Sequence, residues 1–235
     1  MAVRQFVRTL VGILFLVTAL AAQKAEAQNW DGSGLIRFGV FLQGSVLDLD
    51  IERRTPAGAV LQQSASPSGL GVGIVTGYDL RLGSFVIGGE IDASWDDGGS
   101  KARPLSNEKY GIDFLATARG RLGYMVHPGF MVYATGGYGM LGTEYILEGV
   151  AAGERKKYGT QGGFVYGGGL EYDIGWGIGF LEYLHQDTGG WSFRNSLGNT
   201  IDLKSSQDVF RLGLKFKVGH DHSHDVYRRP DGPLK

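Results

Sequence analysis

Residues 110–124 read YGIDFLATARGRLGY, and this stretch alternates between two kinds of residue for most of its length. A period of two is the spacing at which successive side chains of a β-strand point to opposite faces. One face of the predicted strand is apolar, and the other combines charge with glycine. The apolar positions are Ile112, Phe114, Ala116, Ala118, Leu122 and Tyr124. The opposite positions are Asp113, Thr117, Arg119, Arg121 and Gly123.

Seven further segments repeat this pattern, so the sequence predicts eight strands. In one segment, 130–140, it stays open which set of alternating residues forms the apolar face, because Met131 and Tyr133 are as apolar as their neighbours. An apolar face of Phe130, Val132, Ala134, Tyr138 and Met140 is the favoured interpretation there. The remaining predicted strands are 35–45, 70–80, 85–95, 163–174, 178–186 and 207–218.

The intervals between these strands alternate in length. Short intervals lie at 81–84, 125–129 and 175–177, and long ones lie at 47–69, 96–109, 141–159 and 187–206. In an up-and-down antiparallel sheet, alternate connections lie at opposite ends. The pattern therefore places every long loop at one end, as in outer-membrane barrels with long external loops and tight periplasmic turns.

Charged residues occupy the face opposite the apolar one, and such a face cannot form a dry hydrophobic core. The sequence thus predicts an all-β fold, an eight-stranded antiparallel up-and-down transmembrane β-barrel whose apolar face meets lipid. Mixed signs would allow the charges to pair within the narrow lumen. The predicted luminal charge network comprises Arg37, Asp79, Glu90, Asp92, Asp113, Arg119, Arg121, Glu171, Asp173, Glu182, Arg211 and Lys215.

The composition agrees with this fold. The 235 residues include 40 glycines, about 17% of the chain, where roughly 7% is usual. A lumen crowded by long charged side chains needs small neighbours, and glycine provides them. The net charge of −1 gives nucleic acid no general attraction, so no nucleic-acid partner is expected. Aromatic residues near the predicted strand ends would form interfacial girdles. These are Tyr78, Trp95, Tyr110, Tyr124, Tyr138, Tyr172 and Tyr183.

The first residues are typical of a Sec signal peptide. Arg4 and Arg8 precede an apolar run at 10–22, and Ala25 and Ala27 fit a processing site before Gln28. A transmembrane anchor is the alternative, but the run is shorter than the roughly 20 residues that span a bilayer. We therefore expect a cleaved signal peptide at 1–27, a barrel domain at 28–218 and a flexible, His-rich periplasmic tail at 219–235. The predicted location is the outer membrane of a Gram-negative cell.

Five blocks, in this order, resemble the small outer-membrane β-barrel family of OmpA-type and opacity-like proteins. They are ATARGRLGY (116–124), YATGGYG (133–139), GGGLEY (167–172), LEYL (181–184) and FRLGLKF (210–216). Within that family the chain resembles the 25/31-kDa surface antigens of alphaproteobacteria, a group that includes porin-like and haemin-binding members. The resemblance implies an eight-stranded barrel with a mostly closed interior, a structural, adhesive or weak pore role, and no catalytic chemistry.

The resemblance also implies partners. These are outer-membrane lipids and lipopolysaccharide, the barrel-assembly machinery, and an extracellular ligand bound through the long loops. Members of the family usually end at an aromatic residue that the assembly machinery recognises. Here Val218 stands in that place and 17 residues follow it. The assembly signal is therefore expected within the last strand, or weakened.

Two groups of residues are candidates for reactive or metal-binding sites. His185 lies near Glu182, as in lipid-A-deacylating barrels, but Asp187 stands where that motif needs a serine, so a lone interfacial histidine is favoured. In the tail, His220, His222 and His224 suit a transition metal, although a solvated tail is the favoured interpretation. No cofactor is expected, and haemin binding has no loop histidine to support it.

The sequence therefore predicts a non-enzymatic outer-membrane barrel with a structural or surface-interaction role, in envelope integrity, adhesion or antigenicity. A narrow diffusion pore is the first alternative, and it would fail if Arg119, Arg121, Glu171 and Glu182 formed a closed plug of ion pairs. A lipid-A-modifying enzyme is the second alternative.

Overall fold

A computed structural model describes residues 34–66, 68–96, 102–105, 108–147, 155–195 and 198–218. These residues form ten strands. They are β1 (Gly34–Arg54), β2 (Val60–Ala65), β3 (Ser68–Leu82), β4 (Phe85–Asp96), β5 (Ala102–Leu105), β6 (Glu108–His127), β7 (Phe130–Leu147), β8 (Arg155–Asp173), β9 (Ile178–Arg194) and β10 (Thr200–Val218). The predicted signal peptide and His-rich tail lie outside the described residues.

Eight of the strands close into an antiparallel barrel in the order β1, β3, β4, β6, β7, β8, β9, β10, and β10 then pairs with β1. This confirms the predicted fold class. Following paired residues once around the wall from Val46 leads back to Ile36, a shift of ten residues along β1. Strands in such staggered barrels tilt by about 35–45° from the barrel axis.

The short and long connections lie at opposite ends of the barrel, as predicted. The tight turns each contain a glycine with positive φ, at Gly83, Gly129 and Gly175, where a side chain would be strained. Among the described residues, none forms a helix long and apolar enough to cross a membrane.

The predicted long loops were partly wrong, because the strands continue far into them. β1 runs on to Arg54 and then turns back as β2, which pairs with it from Leu49–Ala65 to Arg54–Val60. β5 pairs with the start of β6. The predicted strands 35–45, 178–186 and 207–218 therefore captured only the membrane-level part of β1, β9 and β10.

The apolar faces point outward at membrane level. Leu42, Leu70 and Phe164 are 63%, 68% and 74% exposed, whereas Arg37 and Arg121 are buried inside. The open phase of β7 is settled by burial, since Met131 and Tyr133 are buried and Ala134 and Tyr138 are exposed. The favoured interpretation of 130–140 is therefore confirmed.

Exposed aromatic rings collect towards both ends of this apolar band. Near the tight turns, Phe85 and Tyr124 meet edge to face at 5.2 Å between ring centroids, and Trp176 lies 5.9 Å from Phe216. Rings in such positions meet lipid headgroups. At the other end, rings from β7 to β10 form three pairs: Tyr138 with Phe164, Tyr166 with His185, and Tyr183 with Phe210.

Candidate functional site

Four charged side chains meet across the barrel lumen, and we call them the upper quartet: Asp92, Arg119, Glu182 and Arg211. The Arg119 guanidinium donates to Asp92 at 2.9 Å and to Glu182 at 2.8 Å. Arg211 contacts the same two carboxylates, at 3.0 Å and 3.5 Å. The strands β4 and β6 are thereby joined through the interior to β9 and β10.

Six further charged side chains lie closer to the tight turns, and we call them the lower sextet: Arg37, Asp79, Glu90, Arg121, Glu171 and Lys215. Arg37 contacts Asp79 at 2.7 Å and Glu171 at 2.8 Å. Both Arg121 and Lys215 bridge Glu90 and Glu171 at 2.5–2.9 Å. Arg119 of the upper quartet reaches Glu90 at 3.6 Å, so the two groups form one network.

The network is electrically balanced. The upper quartet has two cations and two anions, and the lower sextet has three of each. All ten side chains are at least nine-tenths buried. Buried charges are tolerated only where partners and hydrogen bonds replace lost hydration. Five cations and five anions in mutual contact supply most of these partners and fill the lumen at this level, although buried atoms such as Arg121 Nη2, Arg211 Nε and Glu90 Oε2 have no hydrogen-bond partner among the described residues.

Aromatic and glycine residues complete the walls around the network. The Arg121 guanidinium lies 4.2 Å from the ring centroid of Tyr133, and Arg211 lies 4.4 Å from that of Phe41, both within cation–π range. The Tyr133 hydroxyl donates to Glu182 at 3.0 Å. A Cβ atom at Gly88 would lie 2.0 Å from an Asp79 carboxylate oxygen, so this glycine makes room for the charged side chain.

Above the charged network, the interior is apolar. We call this cluster the apolar plug; its members are Leu47, Leu49, Ile51, Leu115, Leu141, Val165, Leu184, Ile201, Leu203 and Val209. Leu141 and Ile201 are 0% exposed. The glutamines Gln43, Gln186 and Gln207, all buried, also line the lumen. The lumen is thus closed twice, by ion pairs and by hydrocarbon.

The sequence interpretation missed the apolar plug, although the sequence carries a signal for it. In LDLDIE (47–52) the apolar residues sit at odd positions, whereas at 36–42 the outward apolar residues sit at even positions. On a continuous strand this change turns the apolar face inward. Asp48 and Asp50 accordingly point outward and are exposed. The inversion marks the height at which the surroundings of the wall change from lipid to water.

Two of the twelve predicted network residues are not among the ten. Asp173 is the last residue of β8 and pairs with Lys217 near the tight turns, where both side chains are partly exposed. Its distance from the network follows from its place at the strand end. Asp113 lies within β6, but the described side chains do not include it.

His185 lies on the outer wall, and its predicted proximity to Glu182 was wrong. The two positions are three apart in the sequence, so on a strand they point to opposite faces, and Glu182 belongs to the lumen. The Nδ1 atom of His185 lies 2.7 Å from Asp208, and Nε2 lies 3.4 Å from Asp187. The Tyr183 hydroxyl donates to the same Asp208 oxygen at 2.7 Å. Asp208 is the neighbour that sequence spacing did not reveal.

The tail candidates His220, His222 and His224 lie outside the described residues. Within the described part of the chain, no cluster of three or more His, Cys, Asp or Glu side chains has an arrangement that could hold a metal ion.

Comparisons with known proteins agree with the barrel geometry. A family described as "Outer membrane protein beta-barrel domain" matches residues 12–221. The 31 kDa outer-membrane immunogenic proteins of Brucella melitensis biotype 1 and Brucella suis biovar 1 are each 28% identical over 158 residues, which cover 62% of this chain. The match spans 65% of the length of these relatives.

Among solved structures, OprG of Pseudomonas aeruginosa is similar at 12% identity with a TM-score of 0.49, covering 80% of this chain and 99% of that one. Ail of Yersinia pestis has a TM-score of 0.42 at 10% identity, covering 80% and 100%. Since the family match extends over most of the chain and the eight-stranded wall closes, the chain belongs to the outer membrane protein β-barrel domain family, and its place is the Gram-negative outer membrane.

Proposed function

We propose that this protein is a non-enzymatic outer-membrane barrel whose role is structural and surface-interactive. The observation that carries the proposal is the doubly closed interior. A charge-balanced network fills the lumen at membrane level, and the apolar plug fills it above. A through-pore would require both layers to move, so the wall and its external hairpins are the parts available for function.

The first test is conductance. The protein is refolded in vesicles, checked by the gel mobility of boiled and unboiled samples, and examined in planar bilayers. We expect no steady single-channel steps from the folded protein, because the apolar plug fills the lumen above the charged network. Reproducible, salt-dependent steps would overturn the closed-barrel proposal and favour the pore alternative.

The surface role rests on the hairpins that extend beyond the apolar band. The β1–β2 hairpin is the clearest example: its tip is 55–59, and Val60 and Leu61 are 52% and 53% exposed. Exposed hairpins of this kind are consistent with a relative that is an immunogenic outer-membrane protein. We infer that an extracellular partner is bound through these tips.

Cysteine labelling tests this orientation, since the chain has no cysteine. Ala57 and Ser84 are matched sites, since each is an exposed turn residue next to a glycine and neither has a positive φ. Intact cells expressing Ala57→Cys should react with a membrane-impermeant maleimide, and cells expressing Ser84→Cys should not. The reverse pattern would contradict the proposed external position of the β1–β2 hairpin.

A test of partner binding has to spare the wall. Replacing the whole interval 47–69 would also remove Leu47, Leu49 and Ile51 of the apolar plug. The tip 55–59, and the connection between β9 and β10, can each be shortened alone. We expect such variants to keep the heat-dependent gel shift and to lose adhesion or antibody recognition of whole cells. Unchanged recognition by antisera raised against the whole protein would count against the tips as the interacting surface.

The outer wall contacts outer-membrane lipid through its apolar band. Lipopolysaccharide at the external rim, and the barrel-assembly machinery at the β10 strand, are the further partners we propose. We expect Phe216→Ala to slow assembly, because Phe216 is the last aromatic residue of β10. An unchanged rate of assembly would contradict the second proposal.

The lipid-A-modifying alternative gains no support from the outer-wall cluster. Both nitrogen atoms of His185 face carboxylates rather than a hydroxyl nucleophile. We expect His185→Ala to leave the mass spectrum of lipid A from expressing cells unchanged. A change that depends on His185 would revive the enzyme alternative.

A further inference from the structure

A group of polar side chains lies on the outer wall at the height of the apolar band. Val46 faces outward and is 41% exposed; it lies directly opposite Asp208, which lies opposite His185. One circuit of the wall from Val46 descends to Ile36, so each step between neighbouring strands descends by about 3 Å towards the tight turns. Asp208 and His185 therefore lie below Val46, by about 3 Å and about 6 Å.

The neighbours of this group on the outer wall are aromatic. Tyr183 and Phe210 lie below it on β9 and β10, with their ring centroids 5.1 Å apart. On β8, the Tyr166 ring lies 5.2 Å from the His185 ring, and Phe164 is 74% exposed. Ionisable side chains at membrane depth are costly and are commonly functional. We call His185, Asp187 and Asp208 the polar notch.

The polar notch contains more negative than positive charge. The two nitrogen atoms of His185 face different carboxylates, since Nδ1 lies 2.7 Å from Asp208 and Nε2 lies 3.4 Å from Asp187. An imidazole carries at most one positive charge, so at least one carboxylate charge has no counter-ion within the notch. Lys204, on the same face of β10, lies further up the strand and opposite Asp50. A cation from outside the protein would balance the notch.

The polar notch also has hydrogen-bond acceptors to offer. The Tyr183 hydroxyl and the Nδ1 atom of His185 both lie 2.7 Å from Oδ1 of Asp208, and among the described residues no donor reaches Oδ2. The side chains of Asp208 and Asp187 are 34% and 64% exposed. Carboxylates accept hydrogen bonds from an ammonium group, and the exposed rings beside them attract cations. The same carboxylates would repel a phosphate.

We propose that the polar notch binds the primary ammonium group of a lipid headgroup in the outer leaflet. The ammonium donates to Oδ2 of Asp208 and to the carboxylate of Asp187, and the acyl chains lie against the apolar band. The depth of the notch favours a cation that its own lipid chains hold at the membrane edge. This inference goes beyond the proposed surface role and does not depend on it.

The first test titrates the headgroup. Isotope-labelled protein is placed in phosphatidylcholine nanodiscs, and phosphatidylethanolamine with the same acyl chains replaces an increasing share of the lipid. The ethanolamine headgroup has N–H donors, whereas choline has none. We expect the backbone amide signals of 184–187 and 207–209 in the NMR spectrum to shift and then to saturate, while the signal of Gly83 in its tight turn stays in place. The absence of a saturable shift at the notch would overturn the proposal.

Asp208→Asn is the main variant, because its amide oxygen still accepts from the Tyr183 hydroxyl while the charge is removed. We expect the half-saturating fraction of phosphatidylethanolamine to rise about tenfold, since a hydrogen bond loses its charged acceptor. Asp187→Asn, at the more exposed side chain, should raise this fraction by less and serves if Asp208→Asn does not fold. The matched control is Asp50→Asn, which removes an exposed outward charge above the band and should change nothing.

The heat-dependent gel shift verifies that each variant is folded. An unchanged half-saturating fraction in folded Asp208→Asn and Asp187→Asn would show that the headgroup binds elsewhere and would overturn the proposal. Free ethanolamine, added to the buffer around pure phosphatidylcholine nanodiscs, separates a lipid headgroup from a soluble amine. We expect no saturable shift from it. A shift equal to that from the lipid would overturn the assignment to a headgroup.

Discussion

The barrel interior has two levels that are built from opposite materials. At membrane level, where lipid surrounds the wall, the inside holds five cations and five anions. Above it, where Asp48 and Asp50 face outward, the inside is the apolar plug. One continuous strand, β1, supplies both levels, with Arg37 in the first and Leu49 in the second. The change occurs within a few residues around Ser45.

The difference shows that the medium outside the barrel wall, lipid or water, decides which side chains fill the lumen at that level. A lipid-facing exterior uses the apolar residues of the alternation, so the polar ones turn inward and must pair with each other. A water-facing exterior reverses the assignment and leaves apolar residues to form an ordinary core. The upper level therefore resembles a soluble β-structure placed on top of a membrane barrel.

Glu90→Gln should produce the largest effect, because it keeps the shape of a side chain that contacts four cations, among them Arg121 and Lys215 at 2.5 Å, and removes its charge. Removing one partner of a buried ion pair costs about 3–5 kcal/mol. The measurement is urea unfolding in lipid vesicles. The double variant Glu90→Gln with Lys215→Met restores neutrality and should recover most of the loss. No recovery would show that charge balance does not stabilise the lower sextet.

Leu141→Ala tests the apolar level by the corresponding truncation. Leu141 is 0% exposed within the plug, so the substitution leaves a cavity and should lower the free energy of unfolding by about 2–5 kcal/mol. A second substitution should separate the two levels, since Lys215→Met removes the charge that Glu90→Gln leaves unpaired and does not touch the cavity at Leu141. Equal rescue of Leu141→Ala by Lys215→Met would contradict the distinction.

Arginine substitutions on the outside of β1 locate the boundary between the levels. Val40→Arg places a charge near the middle of the lipid-facing band and should destabilise the barrel by about 2–4 kcal/mol. Asp50→Arg, on the same face but above the band, should have little effect. Equal losses at the two positions would mean that the phase inversion does not mark the membrane edge.

Glu52→Ala should have the smallest effect. Glu52 pairs with Arg54 at 2.7 Å near the hairpin tip, where the Arg54 side chain is 59% exposed. Exposed pairs contribute little because water solvates both charges. We expect unfolding curves that overlay those of the parent protein. A clear loss would show that the hairpin tip contributes to the stability of the upper level.

Sequence alone predicted the membrane level well. Alternation identified the eight wall strands, and the opposite face supplied all ten residues of the upper quartet and lower sextet. Which cation meets which anion could not be predicted, because the pairs join strands that are not neighbours: Arg37 and Glu171 are 134 positions apart. Such contacts depend on barrel closure and stagger, which local spacing does not specify.

The upper level was not predicted, because each strand was taken to end where its apolar residues stopped falling on the outward-facing positions, and the rest was taken as a loop. LDLDIE (47–52) continues the strand in the opposite phase, as do Ile201 and Leu203 on β10. The outer-wall contact of His185 with Asp208 was also hidden, since it depends on the register between β9 and β10. A search that allows phase changes along a strand would find the first feature and not the second.

The upper quartet also constrains the order of assembly. Its two carboxylates and two guanidinium groups come from β4, β6, β9 and β10. Before β9 and β10 are in place, Asp92 lacks its partner Arg211 and Arg119 lacks its partner Glu182. Likewise, Arg37 from the first strand and Lys215 from the last meet on Glu171. Charge pairing and closure of the wall are therefore one event. Because a partly inserted sheet lacks these pairs, we expect folding to be limited by the arrival of β10.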